Sequence, residues 1–470
     1  MQYSIVNFKN LERTKRLDSE YYSPTYLRLL SILNKKVTVS IKQICKVSDG
    51  NHMSISSYFQ DYPGVPYYRG QDINTDFFLE NANPIYIPNE IYELSYMKRS
   101  HFKPGDVLLS IVGTIGSISL VTDQIQKSTG SCKIAILRPY KVESQYLAIF
   151  LMSLYGNFQI KRYIRGTVQT GLLLEDLDQI LIWLAPKEFQ KVIKQTVQSA
   201  LNCNRNSKKY YHQAQNLLLS ELGLLNWKPK HKLTFVRNFS DTQQAERMDA
   251  EYFQPKYHEI IKAIKSYAGG WDFLGKLVSI KKCVEVGSDA YIDEGIPFIR
   301  VSNLSPFEIT EEKYISEELY LSLSEHQPQK GEILLSKDAT PGIAYYINEE
   351  PKKMIPSGGI LRLKKLDDRI NEEYLTTVLN SLIVQEQIKR DIGGSVILHW
   401  RPDQVKNTLI PILKDQIQKE IKQKITKSFN LRKQAKHLLE SAKRAVEIAI
   451  EKDEDTALKW LEKAVEGIDA

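Results

Sequence analysis

The most constraining feature of this 470-residue chain is a segment that occurs twice. Residues 16–26 read RLDSEYYSPTY, and residues 247–257 read RMDAEYFQPKY. Arg, Asp, Glu, Tyr, Pro and Tyr occupy the same places in both segments, and Asp18 and Asp249 stand 231 positions apart. If the surrounding sequence is repeated as well, the two segments mark a duplicated domain, which constrains the fold more than any local pattern does.

Four further blocks recur in the same order. They are GVPYYRGQDI (64–73) with GIPFIRVSNL (295–304), KPGDVLLSIVGTIGSISLV (103–121) with QKGEILLSKDATPGIAYYI (329–347), QIKRYIRGTV (159–168) with QIKRDIGGSV (387–396), and FQKVIKQ (189–195) with IQKEIKQ (417–423). Because the offset between the copies changes by only a few residues, chance is excluded. Each copy of about 230 residues is too long for a solenoid repeat, so the duplication concerns a domain and an appendage.

Each copy begins with a strand-like part and ends with a helical part. Short β-rich runs such as DVLLSIVG and EILLS, broken by Gly, Pro or Ser, predict strands. Later in each copy, apolar and small residues recur every three or four positions, which predicts a coiled-coil seam on a long helix. The seam residues are Phe189, Ile193, Ala200, Tyr210 and Leu217 in the first copy and Ile417, Ile421, Leu431 and Leu438 in the second.

The fold class predicted from these textures is α+β. It has two duplicated β-rich domains, each followed by a long helix, and the two equivalent helices pair as an antiparallel coiled coil. The predicted bounds are a first domain at 1–186, a first long helix at 187–222, a linker at 223–246, a second domain at 247–414, a second long helix at 415–451 and a C-terminal short helix or tail at 452–470.

Composition bounds the class of protein. The net charge of +8 is compatible with a polyanionic partner but does not require one. The four cysteines form no CxxC pair, so neither a zinc site nor a disulfide framework is predicted, and free thiols fit a reducing cytoplasm. The first residues lack the apolar core of a signal peptide, and no apolar run reaches the ~18 residues of a membrane helix. We therefore expect a cytoplasmic protein without a membrane partner.

Catalytic motifs are not legible in the chain. GTIGS (113–117) lacks the GK[ST] ending of a phosphate-binding loop and lies between two strand-like runs, so we predict a hairpin turn there. Pro402 and Asp403 with Glu420 and Lys422 imitate a metal-dependent nuclease motif. However, Glu420 and Lys422 flank a seam position of the long helix, so their side chains do not converge with Asp403 on a metal.

These doubled blocks, in this order and joined to long helices, resemble the specificity (S) subunit of type I restriction–modification systems. The resemblance rests on RLDSEYYSPTY and RMDAEYFQPKY, on GDVLLSIVGTIGSISLV and GEILLSKDATPGIAYYI, and on IKRDIGGSVILHWRPDQVKNTLIPI, which leads into a long helix. It covers nearly the whole chain.

The resemblance implies a function. Each half would be a target recognition domain, and the two domains would read the two halves of a split site in double-stranded DNA. The subunit would be non-catalytic and would direct two methylation (M) subunits and the restriction and motor (R) subunits. No cofactor would bind this chain, since S-adenosylmethionine, ATP and Mg²⁺ belong to the partner subunits. A helix of about 30 residues is roughly 45 Å long, which matches roughly 13 base pairs.

Base recognition requires side chains with hydrogen-bonding groups at the domain surface, whereas phosphate contacts require cations or hydroxyls. The candidate DNA-binding residues, chosen on loops next to the repeated blocks, are Arg69, Gln71, Asp72, Lys98, Arg99, Arg165, Thr167, Arg300, Ser302, Asn303, Lys337, Asp338 and His399.

Two other classes of protein remain open at this point. One is a fragment of a single-chain restriction or methylation enzyme, against which the missing methyltransferase motifs argue. The other is a scaffold with duplicated binding modules that does not bind DNA. Salt-sensitive binding to DNA distinguishes the scaffold from a DNA reader, because phosphate contacts release counterions.

Overall fold

The duplication in the sequence is a duplication of structure. The computed structural model describes residues 5–7, 16–73, 77–166, 170–392 and 398–468. The chain divides into two compact units, of which the first contains 1–205 and 432–470 and the second contains 206–431. Each unit therefore contains one copy of the β-rich domain and a part of each long helix.

The first copy consists of nine strands and seven α-helices in its described residues. The strands are β1 (Thr38–Ser40), β2 (Cys45–Asp49), β3 (Val65–Tyr68), β4 (Ile85–Ile87), β5 (Val107–Ser110), β6 (Ile118–Leu120), β7 (Thr129–Gly130), β8 (Ile134–Pro139) and β9 (Leu181–Trp183). The helices are α1 (Pro24–Leu33), α2 (Ile41–Ile44), α3 (Asn89–Tyr92), α4 (Ser144–Met152), α5 (Leu154–Tyr163), α6 (Leu174–Leu177) and α7 (Lys187–Glu221).

The second copy repeats this series. Its helices are α8 (Phe239–Ala245), α9 (Pro255–Lys265), α10 (Leu274–Leu277), α11 (Glu317–Ser322), α12 (Glu372–Leu379), α13 (Leu382–Asp391), α14 (Pro402–Lys406) and α15 (Asp415–Glu451), and α16 (Glu454–Val465) follows. Its strands are β10 (Trp271–Phe273), β11 (Val278–Lys282), β12 (Ile296–Ile299), β13 (Tyr314–Ile315), β14 (Glu332–Ser336), β15 (Ala344–Tyr346), β16 (Ile355–Pro356), β17 (Ile360–Lys365) and β18 (Leu409–Pro411). Helix α8 lies inside the segment that the sequence predicts as a linker.

The sheets have the same topology in both copies. A four-stranded antiparallel sheet has the order β2-β8-β5-β6 in the first copy and β11-β17-β14-β15 in the second. A three-stranded sheet has the order β4-β3-β7 and then β13-β12-β16, and short pairs join β1 to β9 and β10 to β18. Strands β5 and β14 are buried along their whole length, which explains their continuous apolar runs without alternation.

An arginine–carboxylate ion pair joins the two central strands of each larger sheet, and in the second copy both of its side chains are buried. In the second copy Arg362 donates two hydrogen bonds to Glu332, at 2.8 and 3.0 Å, and both side chains are nearly inaccessible. In the first copy Arg138 donates to Asp106 at 2.7 Å through two nitrogens. The carboxylate follows Gly331 in one copy and a glycine at the same place in the other, and Gly331 has a φ of 90°, which favours glycine.

A glutamine at the start of each long helix ties that helix to its own domain. Gln190 in α7 donates to the carbonyl of Ala185 at 2.7 Å and accepts from the Glu143 amide at 3.0 Å. Gln418 in α15 donates to the carbonyl of Leu413 at 2.8 Å in the same way. The repeated FQKVIKQ and IQKEIKQ blocks therefore join helix and domain.

The two long helices bury one residue at intervals of seven, an isoleucine first and then alanines and serines. The buried series is Ile193, Ala200, Ser207 and Ala214 in α7, and Ile421, Ser428, Ala435, Ala442 and Ala449 in α15. In the second unit the Ser428 hydroxyl donates to the Ser207 carbonyl at 2.8 Å, so the helix backbones approach closely there. Ala214 and Leu218, further along α7, share a core cluster with Ile421, earlier in α15, so the helices run antiparallel.

The predicted fold class, with two repeated β-rich domains and paired long helices, is thus confirmed. The predicted seam residues differ in burial. Those that are buried are Phe189, Ile193, Ala200, Ile421 and Leu438, and those that are half-buried are Tyr210, Leu217, Ile417 and Leu431. Phe189 packs against Trp183 of its own domain, and Leu218 rather than Leu217 is the buried leucine of its turn.

The segment after α15 forms an ordered part of the first unit. The side chain of Asp453 accepts from the Thr456 amide at 2.8 Å and so caps the N-terminus of α16. Leu461 of α16 is buried, and the imidazole of His437 in α15 lies 2.7 Å from the carbonyl of Ala464. Helix α16 therefore folds back along the end of α15.

Candidate nucleic-acid interface

One hairpin in each domain has the same backbone and a different set of side chains. Strands β5 and β6 pair antiparallel around residues 111–117, so the predicted hairpin turn at GTIGS is confirmed. The Gly116 amide donates to the Ser110 carbonyl at 3.0 Å, and the Gly342 amide donates to the Ser336 carbonyl at 2.9 Å in the second domain. Between these points the first domain reads IVGTI and the second reads KDATP.

A second segment pairs with each hairpin. Val112 forms an antiparallel bridge with Gly171 in the first domain, and Asp338 forms one with His399 in the second. These bridges lie just after residues 167–169 and 393–397, which are outside the described residues. The same backbone arrangement therefore presents different side chains in the two domains.

Buried anchors follow these bridges. The Leu172 amide donates to the Ile111 carbonyl at 2.9 Å, and the Trp400 amide donates to the Lys337 carbonyl at 2.8 Å. The side chains of Leu172 and Trp400 are 2% and 1% exposed. Each segment is thus fixed by a large apolar side chain directly after the residue that it presents.

The structure brings three predicted residues of the second domain together. The carboxylate of Asp338 accepts from Lys337 through one oxygen, and its other oxygen lies 2.8 Å from Nδ1 of His399. His399 is 57% exposed, whereas the side chains of Lys337 and Asp338 are mostly buried. A cleft of about 490 Å³ opens beside His399 and is also lined by Arg247 and Arg401.

Three candidate loops also meet in the first domain. The Thr114 hydroxyl of the hairpin donates to the Gly70 carbonyl at 3.1 Å, which places the turn after β3 against the hairpin. On the other side, Gly171 bridges to both Val112 and Arg165. Loops that are far apart in sequence therefore form one surface.

The turn after β3 is stabilised by its own side chains. Both oxygens of the Asp72 carboxylate accept from the Arg69 guanidinium, at 2.8 and 2.9 Å, and one also accepts from the Arg69 amide at 2.8 Å. Asp72 is buried, so it is not available to bases. Gln71, between them, is exposed.

The equivalent turn after β12 has the same design. The Asn303 side chain, which is 2% exposed, accepts from the Arg300 amide at 3.1 Å. The Arg300 guanidinium contacts Glu312 at 2.5 Å, and Ser302 is exposed. Asp72 and Asn303 therefore stabilise their turns, whereas Gln71 and Ser302 are exposed at the middle of the turns.

The basic run of the first domain is only partly accessible. Arg99 pairs with Asp49, which also contacts His52 at 2.5 Å. His101 stacks on Tyr92 with ring centroids 3.7 Å apart, and burial lowers the pKa of His101 below its usual value. Lys98 is exposed and is the simplest candidate for a phosphate contact.

Arg165 contacts the carboxylate of Asp176, whose side chain is 2% exposed. Burial raises the pKa of Asp176 above its usual value, against the opposing effect of Arg165. Thr167, a further candidate, lies outside the described residues.

The doubled RxD segment that opens each copy caps a helix. Arg16 donates to the carbonyls of Arg162 and Ile164, both at 3.2 Å, and pairs with Asp18 at 2.7 Å. These carbonyls lie at the C-terminal end of α5, where the helix dipole favours a cation. Tyr21 packs its ring 4.8 Å from the Arg16 guanidinium.

The second copy repeats this cap at the end of α13. Arg247 donates to the carbonyls of Arg390 and Asp391, at 3.4 and 3.1 Å, and pairs with Asp249 at 2.7 Å. Arg247 lies 4.5 Å from the ring of Tyr252. The sequence showed the repeated segment but not its role as a helix cap. The signal that could have revealed this role is the presence of Arg and Asp at the same two places in both copies.

The described parts of the chain contain no group of three His, Cys, Asp or Glu residues that could bind a metal ion. Within the same ranges, no helix has the length and apolarity needed to cross a bilayer. Glu420 and Lys422 of the nuclease-like pattern pair separately, with Lys424 and Glu373. The candidate loops described above present hydrogen-bonding groups and cations at their surface.

Comparison with solved structures finds likeness over most of the chain. The S subunit of a type I restriction–modification system from M. genitalium is 14% identical, with coverage of 90% of this chain and 95% of that chain and a TM-score of 0.39. The HsdS subunit from Thermoanaerobacter tengcongensis is 16% identical, with coverage of 92% and 96% and a TM-score of 0.27. No curated protein matches the chain.

The family model of the type I restriction modification DNA specificity domain matches the chain twice, at residues 34–216 and 249–441. The two matches contain all the strands of each copy and most of both long helices. Specificity subunits of this family are non-catalytic. The chain therefore belongs to the family of type I restriction modification DNA specificity domains, of which it contains two copies.

Proposed function

We propose that the two domains read different halves of a split site in double-stranded DNA. The observation that carries this proposal is the shared hairpin with exchanged side chains, IVGTI in one domain and KDATP in the other. A fixed backbone positions the loop, and the side chains at its surface select the bases.

We further propose that the loops make the base contacts, with Gln71 and Ser302 at the outward positions of the turns and His399, held by Asp338 and Lys337, at the surface of the second hairpin. Lys98 supplies a phosphate contact. Arg69, Arg165 and Arg300 act mainly through their partner carboxylates, which they orient within the loops.

The partners that fit this role are two M subunits, one for each repeat, and R subunits. S-adenosylmethionine, ATP and Mg²⁺ would then be bound by those subunits. The duplication supports two equivalent M sites, because each copy offers the same elements to a partner. A role in reading cellular DNA also fits a cytoplasmic location.

The long helices are proposed to determine the spacer between the two half-sites of the DNA. A helix rises about 1.5 Å per residue, so removal of one heptad from both α7 and α15 shortens each by roughly 10 Å. That length corresponds to about three base pairs. The heptad is the unit to remove, because it preserves the buried seam.

The test is co-expression of this chain with a cognate M subunit, followed by mapping of modified bases in the host DNA. A split motif with two defined halves and a fixed spacer is the expected result. The paired heptad deletion is expected to shorten the spacer and leave both halves unchanged. A continuous motif, or modification without sequence preference, would refute the proposal.

A further inference from the structure

The bridge between the hairpin and the following segment differs between the domains in one respect. Val112 and Gly171 form it in the first domain and have no side-chain hydrogen-bonding group. Asp338 and His399 form it in the second, at the equivalent backbone positions. The backbone bridge is therefore the same in both domains while its side chains differ, which is what a position that determines specificity requires.

Glycine is not required at this place by the backbone. A Cβ added at Gly171 would meet the Ile111 carbonyl oxygen at 3.6 Å and the Val112 side chain at 3.8 Å, which are ordinary contacts, and the residue does not have a positive φ. A side chain could therefore occupy this position in the first domain as His399 does in the second.

The imidazole of His399 is engaged at Nδ1, and more than half of the side chain is exposed. Its Nδ1 lies 2.8 Å from an oxygen of Asp338, which as a carboxylate accepts the hydrogen bond. The carboxylate thereby selects the form with the proton on Nδ1, so in the neutral ring Nε2 is an acceptor. The ring is 57% exposed.

Asp338 is poorly suited to contact a base itself. One of its oxygens bonds to His399 and the other bonds to Lys337, and its side chain is 23% exposed. Its geometry is that of a positioning residue. It orients the ring of His399, and Lys337 in turn orients Asp338.

We propose that Nε2 of His399 accepts a hydrogen bond from an exocyclic amino group of adenine or cytosine in the major groove, and that Asp338 positions it. This inference rests on the proposed function. In the major groove these two amino groups are the donors that bases present, which makes an acceptor at Nε2 selective against guanine and thymine edges.

The experiment maps modified bases for complexes that contain His399→Ala, His399→Gln or Asp338→Asn. His399→Ala is expected to relax one base pair in one half-site, with roughly tenfold less discrimination there. His399→Gln retains an acceptor near the place of Nε2 and is expected to preserve part of the preference. Asp338→Asn is expected to relax the same base pair more weakly, because its amide no longer fixes the ring.

The matched control is His258→Ala, which removes another exposed histidine of the second domain on α9 and is expected to leave the motif unchanged. Gln71→Ala is expected to change the other half-site. If the wild-type complex gives a split motif and His399→Ala leaves every position unchanged, this inference is wrong while the proposed function stands.

If the wild-type complex gives no split motif, the proposed function fails as well. If His399→Ala does not fold, His399→Gln and Asp338→Asn decide, since a purely structural role would weaken all base pairs equally instead of one. A gain of preference on Val112→Asp/Gly171→His in the first domain would support the assignment independently.

Discussion

The buried ion pair between Arg362 and Glu332 allows a quantitative test of how strand β14 is joined to β17. The side chains are 3% and 4% exposed. In Arg362→Met the carboxylate of Glu332 loses both guanidinium bonds and keeps the Gln329 amide, at 3.0 Å, as a donor. A buried carboxylate without its cationic partner lowers the free energy of unfolding by about 3–5 kcal/mol.

The double variant Arg362→Met/Glu332→Leu removes both charges. It leaves the Gln329 amide and the Glu325 carbonyl, which accepts from Arg362 at 2.7 Å, without these bonds. Each lost backbone partner costs at most about 1–3 kcal/mol, and apolar contacts offset part of that cost. The double variant should therefore be more stable than either single variant.

The assay is amide hydrogen exchange of peptides from β14 and β17, because a chain of two units does not unfold in one step. Arg138→Met in the first domain is the matched comparison and should cost less, since the Arg138 side chain is 32% exposed and part of its site is open to water. If Arg362→Met lowers the free energy of unfolding by less than about 1 kcal/mol, the reasoning is refuted. A double variant that is less stable than both single variants would also refute it.

Three other predictions concern single side chains. Lys98→Ala should weaken binding to all DNA sequences alike and reduce the slope of log K against log salt concentration by about 0.9. The control Lys459→Ala, which changes an exposed residue of α16, should leave this slope unchanged. Binding titrations at several salt concentrations measure both slopes. Arg247→Met removes the cap of α13, so hydrogen exchange at the end of α13 should speed up roughly tenfold or more, as expected for losing about 1–2 kcal/mol, and an unchanged rate would contradict the capping role. Hydrogen bonding to Arg247 lowers the pKa of Asp249 below its usual value, so its stabilisation is present above pH 3.8 and is lost as the pH falls through the lower folded pKa; Asp249→Asn should abolish this part of the acid dependence in a pH series of the same exchange experiment.

The sequence predicted most of the architecture because the repeat is explicit. Blocks that recur in order must form the same strands and helices, and the sheets of both copies do share one topology. The long helices are α7, from Lys187 to Glu221, and α15, from Asp415 to Glu451. Periodicity is a strong signal over 35 residues, since one phase error would bury charged groups.

The fine position of the seam was harder to predict. Leu217 and Leu218 are both apolar, and periodicity alone cannot say which of them is more deeply buried. Leu218 is, because it belongs to a core cluster that contains Ile260 and Leu274 of the second domain as well as Ile421 of α15. A helix with two neighbours buries a wider stripe than a coiled-coil seam does.

Candidate site residues were predictable as loops but not as individual contacts. Asp72 and Asn303 were chosen as polar loop residues, yet both are buried and accept hydrogen bonds from their own turns. A polar side chain in a tight turn serves the backbone as readily as a ligand, and the sequence does not distinguish the two uses.

By itself, the sequence determined that this protein contains two copies of one domain and its long helix, since ordered repetition at offsets of 226 to 231 positions has no other source. The sequence also indicated where the strand-rich part of each copy ends and its long helix begins, because hydrophobic periodicity is a local property of the sequence. Only the tertiary structure decided that Asp338 faces His399 and that Arg247 caps α13. These pairs are distant in the chain, and side chains meet across such distances through the packing of the whole domain.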